Sequence, residues 1–302
     1  MAVPTLRAFR NRILFRGILI ISFIGRRIPL AAGRRLGRFL GDLAFRLARR
    51  HRRKSLENLA IAFPEWSAER RRETVRGMFR HLGMSLFEVV WLPNLTPKKF
   101  PKTTTWEGAE AVRDIIRDGN AIVLFTGHCG NWEWLAAAIS QAGLPLTVLQ
   151  RERDEGGLND FITSIRAASG IRTIDRGSSR SGREMVQALR GGTLLGFLID
   201  QSIRVESVTV PFFGRPAAAP VGPAKMAIRA EAYAVSAFIE RRADGMQLAR
   251  FSEPVQLRRD DDPVALTALM TRAIEDQIRR APEQWVWMHD RWKIREKWLM
   301  SG

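Results

Sequence analysis

The sequence predicts an α/β protein: a mixed, largely central β-sheet flanked by helices on both faces, preceded by an N-terminal helical region that associates with a membrane. Three observations carry that prediction. From Trp106 onward, short apolar runs alternate with stretches of helical period, the pattern of a sheet with crossover helices. Residues 34–93 read as helices throughout, and the first 33 residues are basic around one apolar stretch. Residues 1–33 are therefore expected to form a basic amphipathic or apolar membrane-associating segment. Residues 34–302 then form one domain, helical over 34–95 and α/β over 106–302.

The N-terminal segment is read from its charge. The 302-residue chain carries a net +18, and residues 1–60 hold 15 Lys and Arg against only Asp42 and Glu57. Arg16 interrupts the apolar stretch and no convincing cleavage site follows, so the segment is expected to be retained rather than removed as a signal peptide. Ile13 to Ile24 is about a dozen residues, short of the roughly 20 that a spanning helix needs. It suits a helix lying in one leaflet, with Arg7, Arg10, Arg12, Arg26, Arg27, Arg34, Arg35 and Arg38 among anionic head groups, although snorkelling of Arg16 leaves a single span open. Nucleic acid is the rival partner for so much arginine. In GRRLGRFLGDLAFRLARRHRRK, however, Arg alternates with apolar residues as in an interfacial helix, and no zinc finger, RNP pattern or basic zipper is present, so nucleic acid is not expected. The single cysteine, Cys129, excludes an internal disulfide.

Helices are expected over Leu36–Arg50, Lys54–Ile61 and Ala68–Trp91, the last capped by Ser67. Strands follow at Ala121–Thr126, Leu146–Leu149, Thr173–Asp175, Leu194–Ile199, Val208–Val210, Ala234–Glu240 and Gln247–Phe251. Between them, helices are expected over Asn131–Ala142, Leu158–Ala168, Gly182–Leu189, Val221–Ala230 and Pro263–Arg279. In such a sheet ligands gather beyond the carboxyl ends of the strands. His128, Arg151, Arg176 and Asp200 each fall just after a strand and could share one rim. The tail, PEQWVWMHDRWK, sets Trp285, Trp287 and Trp292 around His289, as a core-closing helix or an interfacial belt.

The chemistry centres on AIVLFTGHCGNWEWL, residues 121–135. A buried strand ends at Thr126, and Asn131 can cap the helix that follows. Positions five apart on a helix lie roughly 140° around its axis, so His128 must sit off the helix if it is to meet Glu133. Gly127 and Gly130 give that turn its freedom and let a substrate approach the backbone. An imidazole beside a carboxylate at a helix N-terminus is a general base for a hydroxyl, needing no serine or cysteine nucleophile. Zinc is set aside, because His128, Cys129 and Glu133 match neither the spaced clusters of structural zinc nor HExxH.

These residues resemble the bacterial lipid A biosynthesis acyltransferases, the late lauroyl and myristoyl transferases of the lysophospholipid acyltransferase superfamily. NLAIAFPEWSAERR, GHCGNWE, IDRGSSR, FLIDQS, VPFFGRPAA and APEQWVWMHDRWK occur in the family's order over nearly the whole chain. The resemblance implies transfer of an acyl group from acyl carrier protein or coenzyme A to a hydroxyl of a lipid A precursor or related glycolipid. It places the reaction at the cytoplasmic face of the inner membrane, with the enzyme peripheral or held by one N-terminal anchor, and requires no metal or other cofactor. On it His128 is the base, Glu133 orients it, and Arg166 aligns with an arginine implicated in activity. Gly127, Gly130, Asn131, Arg151, Asp175, Arg176 and Asp200 are the candidate substrate contacts, Arg176 toward acceptor phosphate. His289-Asp290-Arg291 departs from the His-Arg-Arg of many members, and the acceptor is open to phosphoinositide mannosides and lysophospholipids. A thioesterase using the same His, and a non-catalytic basic binding protein on the same fold, are the alternatives of other classes.

Overall fold

A computed structural model describes residues 22–150, 158–294 and 299–300. The expected α/β architecture is present. Three helices come first: α1 (Leu30–Leu47), α2 (Arg49–Ala62) and α3 (Ala68–Trp91). The break between α1 and α2 falls at Ala48, inside the single helix expected over 36–50, and α1 starts six residues earlier than its apolar period suggested. Ser67 caps α3 as expected, accepting from the Arg70 N–H at 3.2 Å.

The α/β part runs β1 (Thr104–Glu107), α4 (Ala109–Arg117), β2 (Ile122–Thr126), α5 (Trp132–Gln141), β3 (Leu146–Gln150), α6 (Leu158–Ala168), β4 (Arg172–Asp175), α7 (Ser181–Arg190) and β5 (Leu194–Leu198). It continues through β6 (Ser207–Phe212), β7 (Arg215–Pro220), α8 (Gly222–Arg229), β8 (Tyr233–Arg241), β9 (Gln247–Phe251), β10 (Val255–Gln256) and α9 (Pro263–Arg280). The main sheet has the order β1-β9-β8-β2-β5-β3-β4. The β8-β2-β5-β3-β4 run is parallel, whereas β9 and β10 both pair antiparallel with β8. The segment expected as a strand at Val208–Val210 belongs to a separate β6–β7 hairpin.

Strand β2 is buried along its whole length and divides the core in two. Val123 and Phe125 face a cluster with Phe45, Leu59, Met78, Ile274 and Trp287; Ile122 and Leu124 face Trp134, Leu135, Ile139 and Leu194 on the other side. A strand covered on both faces reads as a continuous apolar run, as this one does.

The tail is not a helix. Pro282–Gln284 makes one 3-10 turn, after which the chain is extended and bridges Cys129 through Trp285. Trp285 and Trp287 are buried, and Asn58 Nδ2 donates to the Trp287 and His289 carbonyls at 2.7 and 2.6 Å.

Candidate active site

The turn after β2 is shaped by two glycines. A Cβ on Gly127 would lie 3.1 Å from an Asp200 carboxylate oxygen, so its absence lets the chain pass close to that group. Gly130 has φ +61°, and a Cβ there would lie 1.8 Å from the Ile239 carbonyl oxygen. Its N–H donates to the Gln284 carbonyl at 2.7 Å, which docks the turn on the tail. Asn131 caps α5, accepting from the Trp134 N–H at 3.1 Å, and its Nδ2 donates to Glu88 at 2.8 Å. Both ends of this buried side chain are thus engaged within the protein. The contacts of Gly130 and Asn131 within the protein hold the turn and the start of α5 in place.

The carboxylate that holds His128 is Asp200, not Glu133. Asp200, fully buried just beyond β5, accepts from His128 Nδ1 and from the His128 backbone N–H, each at 2.7 Å, and from Trp285 Nε1 at 2.8 Å. Parallel pairing of β2 with β5 brings the two strand ends together, so a residue 72 positions away in sequence meets the imidazole. Burial would raise the Asp200 pKa, but the charge and hydrogen bonds of His128 outweigh it and hold the group below the usual carboxylate range. With Nδ1–H given to Asp200, Nε2 keeps its lone pair and can accept a proton.

Gln201 adjoins the same ring. Its carboxamide nitrogen lies 3.0 Å from Nε2 and 3.1 Å from Nδ1 of His128, and 2.7 Å from Nε2 of His289. Burial, reinforced by the charge of His128, lowers the His289 pKa to about 4. Trp132 packs edge-on against His128 at 4.7 Å between centroids.

Glu133 points instead to Arg166. Arg166 Nε donates to Glu133 at 2.9 Å, with a second, parallel contact from Nη2 at 2.5 Å. The reason is positional: Glu133 lies in the first turn of α5, and α6 lays Arg166 against it. Gln150 extends the line, accepting from Arg166 Nη1 at 3.0 Å and donating to Asp175 at 2.8 Å. Glu133 and Arg166 form the polar edge of a cleft between α5 and the sheet whose walls include Leu124, Trp132, Ala136, Ile139, Val148 and Leu198. Arg176 follows β4 on the same sheet edge, its N–H on the Gln150 carbonyl. Arg176 thus stands on the same rim, on a strand three ladders, about 14 Å, from the one that leads to His128. Arg151 lies outside the described residues.

Several site residues carried no local signal. Glu88 of α3 is fully buried and accepts from Arg241 at 2.6 and 2.9 Å, Arg34 at 2.6 Å, Asn131 at 2.8 Å and Gln247 at 3.2 Å. Burial opposes its charge, but the two guanidiniums outweigh it and lower its pKa. His81 accepts from Arg241 at 2.7 Å, and burial lowers its pKa to about 3. Arg241 is 153 residues from Glu88, so no spacing could have paired them. Gln201 could have been noticed, as the residue after Asp200 in FLIDQS.

Fold and site together define a class: an α/β protein with a hydrogen-bonded His–carboxylate pair at the carboxyl edge of a largely parallel sheet. Among the described residues, the imidazole hydrogen-bonds to a carboxylate and a carboxamide rather than to a hydroxyl or thiol nucleophile. The family model described as bacterial lipid A biosynthesis acyltransferase matches residues 3–294, and the chain belongs to that family. It is similar to the lipid A biosynthesis lauroyltransferase of Escherichia coli (strain K12), 28% identical over 91% of this chain and 89% of the relative. The palmitoleoyltransferase of lipid A biosynthesis from the same organism is 27% identical over 86% of this chain and 84% of its own. A phosphatidylinositol mannoside acyltransferase of Mycobacterium tuberculosis (strain CDC 1551 / Oshkosh) is 26% identical over 68% of this chain and 66% of its own.

Proposed function

We propose that this acyltransferase moves a fatty acyl chain from an acyl thioester to a hydroxyl of a lipid A precursor or a related glycolipid, at the cytoplasmic face of the inner membrane. The observation that carries the reading is the Asp200–His128 pair, which leaves Nε2 as the proton acceptor. The acceptor hydroxyl gives its proton to Nε2 as its oxygen attacks the thioester carbonyl. A tetrahedral oxyanion forms, beside which lies the positive end of α5, starting four residues beyond His128. Collapse expels the thiolate, which takes the proton back from the imidazolium, so ester and thiol are released and the enzyme returns unchanged. No acyl-enzyme is needed, since a thiolate leaves readily and the protein's main task is positioning. Cys129 is not an alternative nucleophile: it is buried, and burial pushes its thiol pKa well up.

The apolar cleft beside Trp132 and Ala136, edged by Glu133 and Arg166, is about 40 Å³ as it stands and would have to widen to admit an acyl chain. In this step the donor's carrier, acyl carrier protein or coenzyme A, leaves as the thiolate. The test is product analysis: purified protein is incubated with an acyl thioester and a lipid A precursor, and the products are resolved by mass. Acylated lipid and free thiol in equal amounts are expected. Free fatty acid with unmodified lipid would instead mark a thioesterase.

A further inference from the structure

Helix α1 is packed inside out. Its buried side is Gly33, Gly37, Gly41 and Phe45, while Leu36, Phe39, Leu40, Leu43 and Leu47 are 42–71% exposed. At positions 0, 3, 4, 7 and 11 these five fall within about 100° of arc, so they form one continuous outward stripe. The inward contact is nearly backbone on backbone. A Cβ on Gly37 would lie 2.4 Å from the Gly83 carbonyl oxygen of α3, and one on Gly41 2.4 Å from that of Phe79. A helix that turns its glycines to the core and its leucines outward is not behaving as a surface helix in water.

The surroundings say what faces the stripe. Phe23, Ile24 and, on α3, Leu86 add exposed apolar surface, 56–70% exposed. Arg35 and Arg46 lie along one edge of the stripe, and exposed Arg49, Arg50 and Arg53 continue the basic surface into α2. Apolar side chains edged by arginine match a leaflet of anionic lipid, whose acyl region takes the former and whose head groups take the latter. No helix among the described residues is long and apolar enough to cross a membrane, which suits a helix lying along it.

We propose that the outward face of α1, Leu36–Leu47, is itself inserted in the anionic membrane surface and orients the active site toward the lipid. Arg34, expected from the sequence among the lipid head groups, instead faces inward on the opposite side of α1 and is the coupling. It donates to Glu88 at 2.6 Å, and Glu88 accepts from Asn131, the cap of the helix that follows the His128 turn. The proposal deepens the reading of the acceptor as a lipid, yet binding can be measured without turnover.

The test uses the full chain. Cys129 is buried, so a Phe39→Cys variant can be labelled selectively with an environment-sensitive fluorophore. On vesicles containing anionic phospholipid the label should shift to the blue and be quenched by lipids brominated in the acyl chain. The triple variant L36S/L43S/L47S should lose affinity for these vesicles by about tenfold or more, while keeping the wild-type melting profile and its activity on detergent-dispersed acceptor. Unchanged vesicle binding by the triple variant, or an unquenched label, would overturn the proposal. So would a dimer in solution that the triple substitution dissolves, since the stripe would then face a second copy. Intact vesicle binding with no transfer in any format would instead count against the acyltransferase reading alone.

Discussion

Asp200 gathers three N–H donors on one buried carboxylate, two from His128 and one from Trp285, and this fixes both the place and the tautomer of the imidazole. Glu133 is the other carboxylate of the neighbourhood, and its partner gives it a different task. Because Glu133 and Arg166 are paired and mostly buried, breaking the pair leaves one uncompensated charge. In a double-mutant cycle Glu133→Gln and Arg166→Gln should therefore couple by about 1–3 kcal/mol in stability. They should raise KM for the acyl donor while leaving the pH midpoint of kcat/KM in place. A Glu133→Gln variant with a shifted pH midpoint would put Glu133 back on the imidazole. Two other imidazoles shape the response to acid. His81 and His289 are held at about 3 and about 4 against an ordinary 6.5, so the unfolded chain binds more protons between those values. The stability they contribute is complete above pH 6.5 and is lost as pH falls through that window, by an amount on the order of a few kcal/mol. Urea titrations at stepped pH would read this as a falling midpoint, and a flat profile from pH 7 to 4 would contradict it.

At the scale of elements, the close seam of α1 on α3 makes a sharp prediction. A Cβ on Gly83 would lie 2.0 Å from the Gly37 carbonyl oxygen, so Gly83→Ala must force two backbones apart. A loss of about 2 kcal/mol or more is expected in denaturant unfolding, against a change of a few tenths for Gly182→Ala, where a Cβ meets nothing within 4 Å. The same elements show what is legible in a sequence. Strand β2, the caps Ser67 and Asn131, and helices such as Ala68–Trp91 and Leu158–Ala168 announce themselves by local pattern, and the structure agrees with them closely. Strand β1, hairpin strand β7 and helix α4 went unread: TTWE and RPAAAP lack the apolar alternation that marks a strand, and AEAVRDIIR is a short helix between β1 and β2. The tail misled because three tryptophans suggest a helix face, whereas Trp285 and Trp287 two apart suit an extended chain with both rings buried. The His128 motif was visible, but its carboxylate was not, since the choice between Glu133 and Asp200 depends on which strands are neighbours in the sheet.

For the molecule as a whole, the two proposals join these parts in one line from a lipid surface to the His128 turn. The arginine-edged α1 faces outward, the Glu88 network carries its position inward to Asn131, and the adjoining turn presents His128 at the sheet edge. On that proposal the excess positive charge of the first 60 residues draws the chain to an anionic surface, so vesicle binding should weaken as salt is raised. The most direct measurement is the single-turnover rate of acyl transfer from thioester to lipid A precursor by purified wild type, His128→Ala and Asp200→Asn, with acylated lipid read by mass. The account predicts a loss of about a thousandfold or more for His128→Ala and about a hundredfold or more for Asp200→Asn, with folding unchanged in both. Near-wild-type transfer by His128→Ala would contradict it.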